Sequence, residues 1–193
     1  GKHVPLCVTR WSRHEVEAWF PKADAETRNT GLYSGFIEYA FEPERTLFLE
    51  KVMDKLENHA LNILSEDKLK DYFARSEKDR FEEWCRYSCS LILPLRNDLS
   101  QQVFDALLAG QIPLVPHEIR DLDAVIPPEV QEELPIIRFS MKDPDDCIRA
   151  YRDAVERLEH ESPDCRNKRH LFALNHCTFS SKIDSVVDQV LNP

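Results

Sequence analysis

The chain is short of glycine, with four in 193 residues. Antiparallel sandwiches and barrels draw on more turn glycines than that, so the shortage favours helices joined by short loops. No uninterrupted apolar run of about 18 residues is present, which leaves no candidate for a membrane span, and no stretch reads as a secretion signal. Positive charge is in deficit as well: 25 Lys and Arg against 35 Asp and Glu give a formal net charge of −10. A phosphate-tracking surface needs a basic stripe, so general nucleic-acid binding is not expected. A small phosphorylated ligand is compatible with this charge, because its site needs only a few donors and a helix start. The six cysteines (Cys7, Cys85, Cys89, Cys147, Cys165 and Cys177) form no Cys-x-x-Cys pair. A chain of this length needs no covalent staples, and the expectation is reduced thiols in a cytoplasmic protein. Cys165, His170, His176 and Cys177 gather near the end, but their spacing matches no standard zinc site and no metal is expected.

What is present is a globular composition, 42% apolar and 31% charged, of a length suited to one domain with a full core. Residues 1–35 read as an N-terminal segment or linker: Trp11, Trp19 and Phe20 suggest packing or docking, and Asn29-Thr-Gly31 and Ser34-Gly35 look like turns. From residue 36 strand and helix signals alternate. Strands are expected at 36–41, 60–64, 89–94, 112–115 and 135–139. Helices are expected from Pro43, over 66–74 and 76–87, after Asn97, from Pro144, over about 165–175, and after Thr178. Alternation of this kind implies parallel pairing with helices on both faces, an α/β Rossmann-like sheet spanning residues 36–193. Ligands of such sheets bind beyond the carboxyl ends of the strands.

The stretch that carries chemistry is Leu93-Pro-Leu-Arg-Asn-Asp-Leu-Ser-Gln-Gln-Val-Phe-Asp-Ala-Leu-Leu-Ala-Gly-Gln-Ile-Pro-Leu-Val-Pro116. An apolar strand feeds a polar loop and then a helix with Leu99, Val103, Phe104, Leu107 and Leu108 on one face. Asp98 and Gln101 stand as cap and third residue of a capping box. The free amides of the first turn, Leu99 to Gln102, with the helix dipole, can hold a diphosphate. Ser100, Gln101 and Gln102 add side-chain donors, and Asp105 could accept from ribose hydroxyls. The plain alternative is a well-capped helix with no ligand, since helix starts able to take an anion are common.

The run Val103-Phe-Asp-Ala-Leu-Leu-Ala-Gly-Gln-Ile-Pro-Leu-Val115 resembles the donor-site signature of the C-terminal lobe of GT-B glycosyltransferases, most nearly the CgeB-like, group 1 type; exostosin-like and fucosyltransferase-like lobes share a similar pattern. The resemblance covers about residues 36–191 and includes His176-Cys-Thr178 before the last helix. It implies a lobe that binds a nucleotide-diphosphate sugar without a metal cofactor. It also implies sugar transfer to a glycan or other hydroxyl acceptor that an N-terminal acceptor lobe of a longer protein would present. Retaining members carry a Glu-x7-Glu pair; Asn97 and Asp105 hold that spacing here, so Asp105 keeps the ribose-binding type while Asn97 lacks the first charge. Gln101 and Gln102 stand where such sequences place arginine, so phosphate neutralisation falls to Arg45, after the first strand, or Arg96, in the loop. The donor-binding set is thus Arg45, Arg96, Asn97, Asp98, Leu99, Ser100, Gln101, Gln102 and Asp105, with no catalytic base assigned.

Other features have ordinary readings. His117 could reach the strand-end rim. Arg166-Asn-Lys-Arg-His170 reads as a solvated helix start. Phe81, Trp84 and Tyr87 could stack a nucleobase but suit core packing. The competing functional class is a non-catalytic α/β module that binds a nucleotide or a protein. A receiver-like domain would need an acidic cluster at the end of the first strand, where Ala40-Phe41 stands.

Overall fold

The structure is a computed structural model that describes residues 8–20 and 28–191. A short helix, α1 (Arg13–Trp19), precedes the first strand, β1 (Asn29–Ile37). The chain then alternates through α2 (Pro43–Met53), β2 (His59–Leu64), α3 (Glu66–Ala74), α4 (Glu77–Cys85), β3 (Tyr87–Leu91), α5 (Gln101–Leu108) and β4 (Ile112–Pro116). Two short helices, α6 (Asp121–Val125) and α7 (Pro128–Glu133), lead to β5 (Ile137–Phe139), and α8 (Pro144–His160), α9 (Pro163–His176) and α10 (Phe179–Leu191) follow. The five strands form one parallel sheet in the order β2-β1-β3-β4-β5. Order reverses between β1 and β3, the switch point of a doubly wound, Rossmann-like sheet.

Alternation of side chains along the buried strands divides the core in two. Leu32, Phe36, Cys89, Leu91, Leu114 and Phe139 face α2 and α8, where Phe48, Val52, Cys147 and Ala154 meet them. On the other face Tyr33, Ile92 and Val115 pack beneath α4, α5 and α9, with Phe81, Trp84, Phe104 and Ala173. Burial pushes the thiols of Cys85, Cys89 and Cys147 up to about 12, so they behave as small apolar groups and not as nucleophiles. Among the described residues no helix is long and apolar enough to cross a membrane.

Three expectations need correction here. The boundary after residue 35 falls inside β1, because Asn29, Gly31, Ser34 and Gly35 are strand residues and not turns. A Cβ on Gly31 would stand 2.6 Å from Asn58 Oδ1, a close approach that only glycine allows, whereas one on Gly35 would meet Leu64 at an ordinary 3.6 Å. Segment 9–20 is no linker: Trp11 and Val16 are core residues, and Thr9 N donates to Cys177 O at 2.7 Å. Finally, the basic run on α9 is solvated only in part: Asn167 and Lys168 are exposed, whereas Arg169 and His170 are buried. Arg169 is fully buried, pairs with Glu161 through both terminal nitrogens, and donates from Nε to Gly110 O. Arg28 donates to carbonyls of Cys85, Tyr87, Ala109 and Gly110, where α4 and α5 end; burial and the nearby charge of Arg166 push its pKa down to about 9. Cations at helix C-termini answer the orphan carbonyls and the negative pole of the dipole.

Gly110 ends α5 with φ of +73°, and a Cβ there would stand 2.6 Å from Arg166 Cγ. Gly110→Ala is therefore expected to cost about 1–2 kcal/mol from backbone strain alone, and more from the contact; urea denaturation checks it, and an unchanged midpoint would contradict it. His170 stacks face to face on Phe20, with ring centroids 3.5 Å apart, and its Nδ1 donates to Leu108 O at 2.6 Å. Burial holds its pKa below the ordinary histidine value, outweighing the bond to Leu108. A depressed folded-state pKa means stability is complete above the unfolded histidine value and drains as pH falls through the folded one. The thermal midpoint is expected to fall between about pH 7 and about pH 5, and to fall less in His170→Gln; equal falls in both proteins would rule the histidine out.

Candidate functional site

Beyond the carboxyl ends of β1 and β2, and beneath the chain leaving β3, lies a cleft of about 590 Å³. Gly35 and Ile37 of β1, Leu64 of β2, and Leu93 and Leu95 after β3 form its floor; α3 and α4 form one wall and the start of α5 another. This is the crevice that a switch point opens, because the crossovers on either side of it leave in opposite directions.

The α5 wall follows from local chemistry. Arg96 and Asn97 adopt positive φ values of 49° and 62°, and Asp98 N closes the turn on Leu95 O at 2.9 Å. Asparagine tolerates that left-handed conformation better than most residues. The turn delays the helix, so Ser100 and not Asp98 is the cap, its hydroxyl accepting from Gln102 N at 3.3 Å. The capping box placed on Asp98 and Gln101 is corrected accordingly. The amides of Ser100 and Gln101 donate to no group among the described residues. Gln102 Nε2 donates to Gly35 O at 3.2 Å, tying the helix start to β1 across the switch point.

Of the residues singled out from sequence, Arg45, Asp98, Ser100, Gln101 and Gln102 line the cleft together. Arg96, Asn97, Leu99 and Asp105 do not. Arg96 and Asn97 are exposed, and Arg96 lies over the Phe41 ring at 5.1 Å. Leu99 packs against the core. Asp105 is fully buried and cannot reach a ligand hydroxyl: Arg10 N donates to Oδ1 at 3.0 Å and Arg10 Nε to Oδ2 at 2.6 Å. Its position two turns into α5 points it at the N-terminal segment and away from the opening.

The cleft gains two arginines that the sequence did not disclose. Arg10 lines it beside Tyr72, whose hydroxyl accepts from Nη1 at 3.2 Å. Arg80, only 7% exposed, pairs with Glu77 and lies over the Tyr72 and Phe73 rings at 5.5 and 5.6 Å. Arg45 donates from Nη1 to Ile37 O and lies over Phe36 at 5.1 Å. Burial pushes the Arg45 pKa down, with Tyr39 and Glu42 acting the other way, and no carboxylate among the described residues pairs with it. The Nε groups of both Arg45 and Arg80 are buried without an acceptor. Arg138 and Arg166 carry the same kind of buried, unpaired Nε away from this cleft, so what sets Arg45 and Arg80 apart is that both line open volume beside the start of α5.

Elsewhere, His117 opens on a separate groove with Arg138 and Asp153. Trp84 is 2% exposed and Phe81 fully buried, so neither offers a face to a base; Tyr87 stacks on Tyr33 at 4.7 Å. Exposed Phe73 and half-buried Tyr72, on α3, and half-buried Tyr39, after β1, are aromatics that the cleft does present. Among the described residues no three metal-ligating side chains come together.

Fold and cleft define a doubly wound α/β domain with an arginine-lined crevice at its switch point. No family model matches the chain, and comparison with curated proteins finds no match either.

Asp105→Ala would leave Arg10 largely buried without its counter-charge. It is expected to lower unfolding free energy by roughly 3–5 kcal/mol; a loss below about 1 kcal/mol in urea titration would mean that the pair is dispensable to the fold.

Proposed function

We propose that this domain is the donor-binding lobe of a GT-B-type glycosyltransferase, holding the diphosphate of a nucleotide sugar at the start of α5. The observation that carries the reading is the convergence of Arg45 and Arg80 on a cleft that also holds the open amides of α5. In a chain with a net charge of −10 such a concentration of guanidinium groups is local and calls for a local anion. The run Phe104-Asp-Ala-Leu-Leu-Ala-Gly-Gln-Ile-Pro113 supports the transferase class over other diphosphate binders.

In that reaction an acceptor hydroxyl attacks the sugar's anomeric carbon, the bond to the diphosphate oxygen breaks, and negative charge builds on the leaving phosphate. Donors fixed in advance around that oxygen stabilise the charge without reorganising, which is where the rate gain lies. Arg45, Arg80 and the amides of Ser100 and Gln101 fill that role, and Gln102 keeps α5 in register with β1. The acceptor and the base that takes its proton belong to a second lobe.

Calorimetric titration with UDP, GDP, CDP and TDP and their sugars tests this. One diphosphate is expected to bind in the micromolar range, the matching nucleoside far more weakly. Arg45→Ala and Arg80→Ala should each lose roughly 10- to 100-fold, the worth of one charge-assisted bond. Heat from none of the four would sink the reading in favour of a protein-binding module.

A further inference from the structure

We infer that Arg10 is a phosphate-binding residue of the cleft and that Asp105 is its positioning residue; the inference rests on the diphosphate reading above. Arg10 is held by more constraints than a structural cation needs. Its own backbone N–H and its Nε both donate to the Asp105 carboxylate, which fixes the main chain and the guanidinium plane together. The guanidinium carbon lies 5.2 Å from the Trp11 ring and 5.7 Å from the Trp84 ring, so two indoles flank it. Thr9 is tied to Cys177 on one side and Trp11 is core on the other, so the segment cannot swing away cheaply.

A guanidinium carries five N–H donors. At Arg10 two have a described acceptor, Asp105 on Nε and the Tyr72 hydroxyl on Nη1. The side chain is 24% exposed, and the residue lines the cleft with Tyr72. The edge carrying the unengaged donors is the one left to the cleft, because Nε is turned to the carboxylate within α5. Burial alone would push the Arg10 pKa down; Asp105, with Tyr72 and Tyr33, outweighs it, so the group keeps its proton while partly desolvated. A planar fork held this way is prepared for two parallel bonds to phosphate oxygens, at little entropic cost on binding. The fully buried carboxylate thereby acts on the ligand through another residue and never touches it.

The test is a double-mutant cycle on the full chain, with UDP and inorganic pyrophosphate as probes, read by calorimetry and by the fluorescence of the flanking tryptophans. Arg10→Gln and Asp105→Asn are each expected to lose at least tenfold in affinity for both probes. The double variant should lose no more than the worse single variant, since each change disables the same contact. Arg10→Lys, which keeps charge without the fork, should also lose most of the affinity. If either single variant unfolds because it strands a buried partner, the double variant (with an amide pair in place of the ion pair) against wild type carries the comparison, and the tenfold loss is required of it. Full affinity in Arg10→Gln or in the double variant overturns the inference while leaving the cleft reading intact; additive losses overturn the positioning role. If UDP gives no heat, the cycle is run with whichever of GDP, CDP and TDP binds; if none of the four binds and pyrophosphate does not either, both fall.

Discussion

The ion pair between Arg10 and Asp105 is the contact on which the arrangement of this domain turns. A carboxylate inside a helix that is otherwise apolar on its buried side is costly to desolvate, and it persists only because a guanidinium and a main-chain amide meet it. Meeting it draws residues 9–11 across the face of α4 and α5, where Trp11 packs edge-on to Phe81 at 5.0 Å and to Trp84 at 6.3 Å. The same interaction closes one flank of the crevice at the switch point. A segment that sequence pattern sets apart from the domain is thus part of both its core and its cleft.

Charge is distributed in a way that the total conceals. Most acidic side chains are exposed or paired in surface bridges worth little, such as Arg157 with Asp153 or Arg13 with Glu17. The arginines divide into two interior groups at opposite ends of the sheet. Arg28 and Arg169 answer the carbonyls where α4 and α5 end, a structural use, with Arg166 beside them. Arg10, Arg45 and Arg80 ring the crevice at the strands' carboxyl ends, where α5 begins. Helix α5 therefore has guanidinium groups near both poles, and those at its start line the crevice.

Much of this fold is legible in the sequence. The apolar run 89–94 reads as a buried strand and Ile112–Val115 as another, and the long stripe of Ile148, Tyr151, Val155 and Leu158 fixes α8, because burial on both faces and helical period leave strong marks. The start of β1 is not legible. Gly31, Ser34 and Gly35 carry turn chemistry, yet they stand in a strand paired on both sides, and at Gly31 the Asn58 side chain leaves no room for a larger residue. The cleft is legible in part. Local sequence announces the start of α5 and the arginine after β1, whereas Arg10 meets Asp105 across 95 residues and nothing local foretells it. Arg80 looks like one charge among many on α4 until Tyr72 and Phe73 are seen beneath it. The place of Asp105 is hidden for the same reason: its spacing from Asn97 is visible in sequence, but its burial against Arg10 is not.

The central claim is that an anion seats against the first turn of α5. Hydrogen–deuterium exchange with and without saturating nucleoside diphosphate measures this residue by residue. The account predicts slowed exchange at the amides of Ser100, Gln101 and Gln102 and along the start of α4, with α8 unchanged. Ligand binding that leaves the α5 start exchanging at its free rate, or that protects the groove around His117 instead, would contradict it.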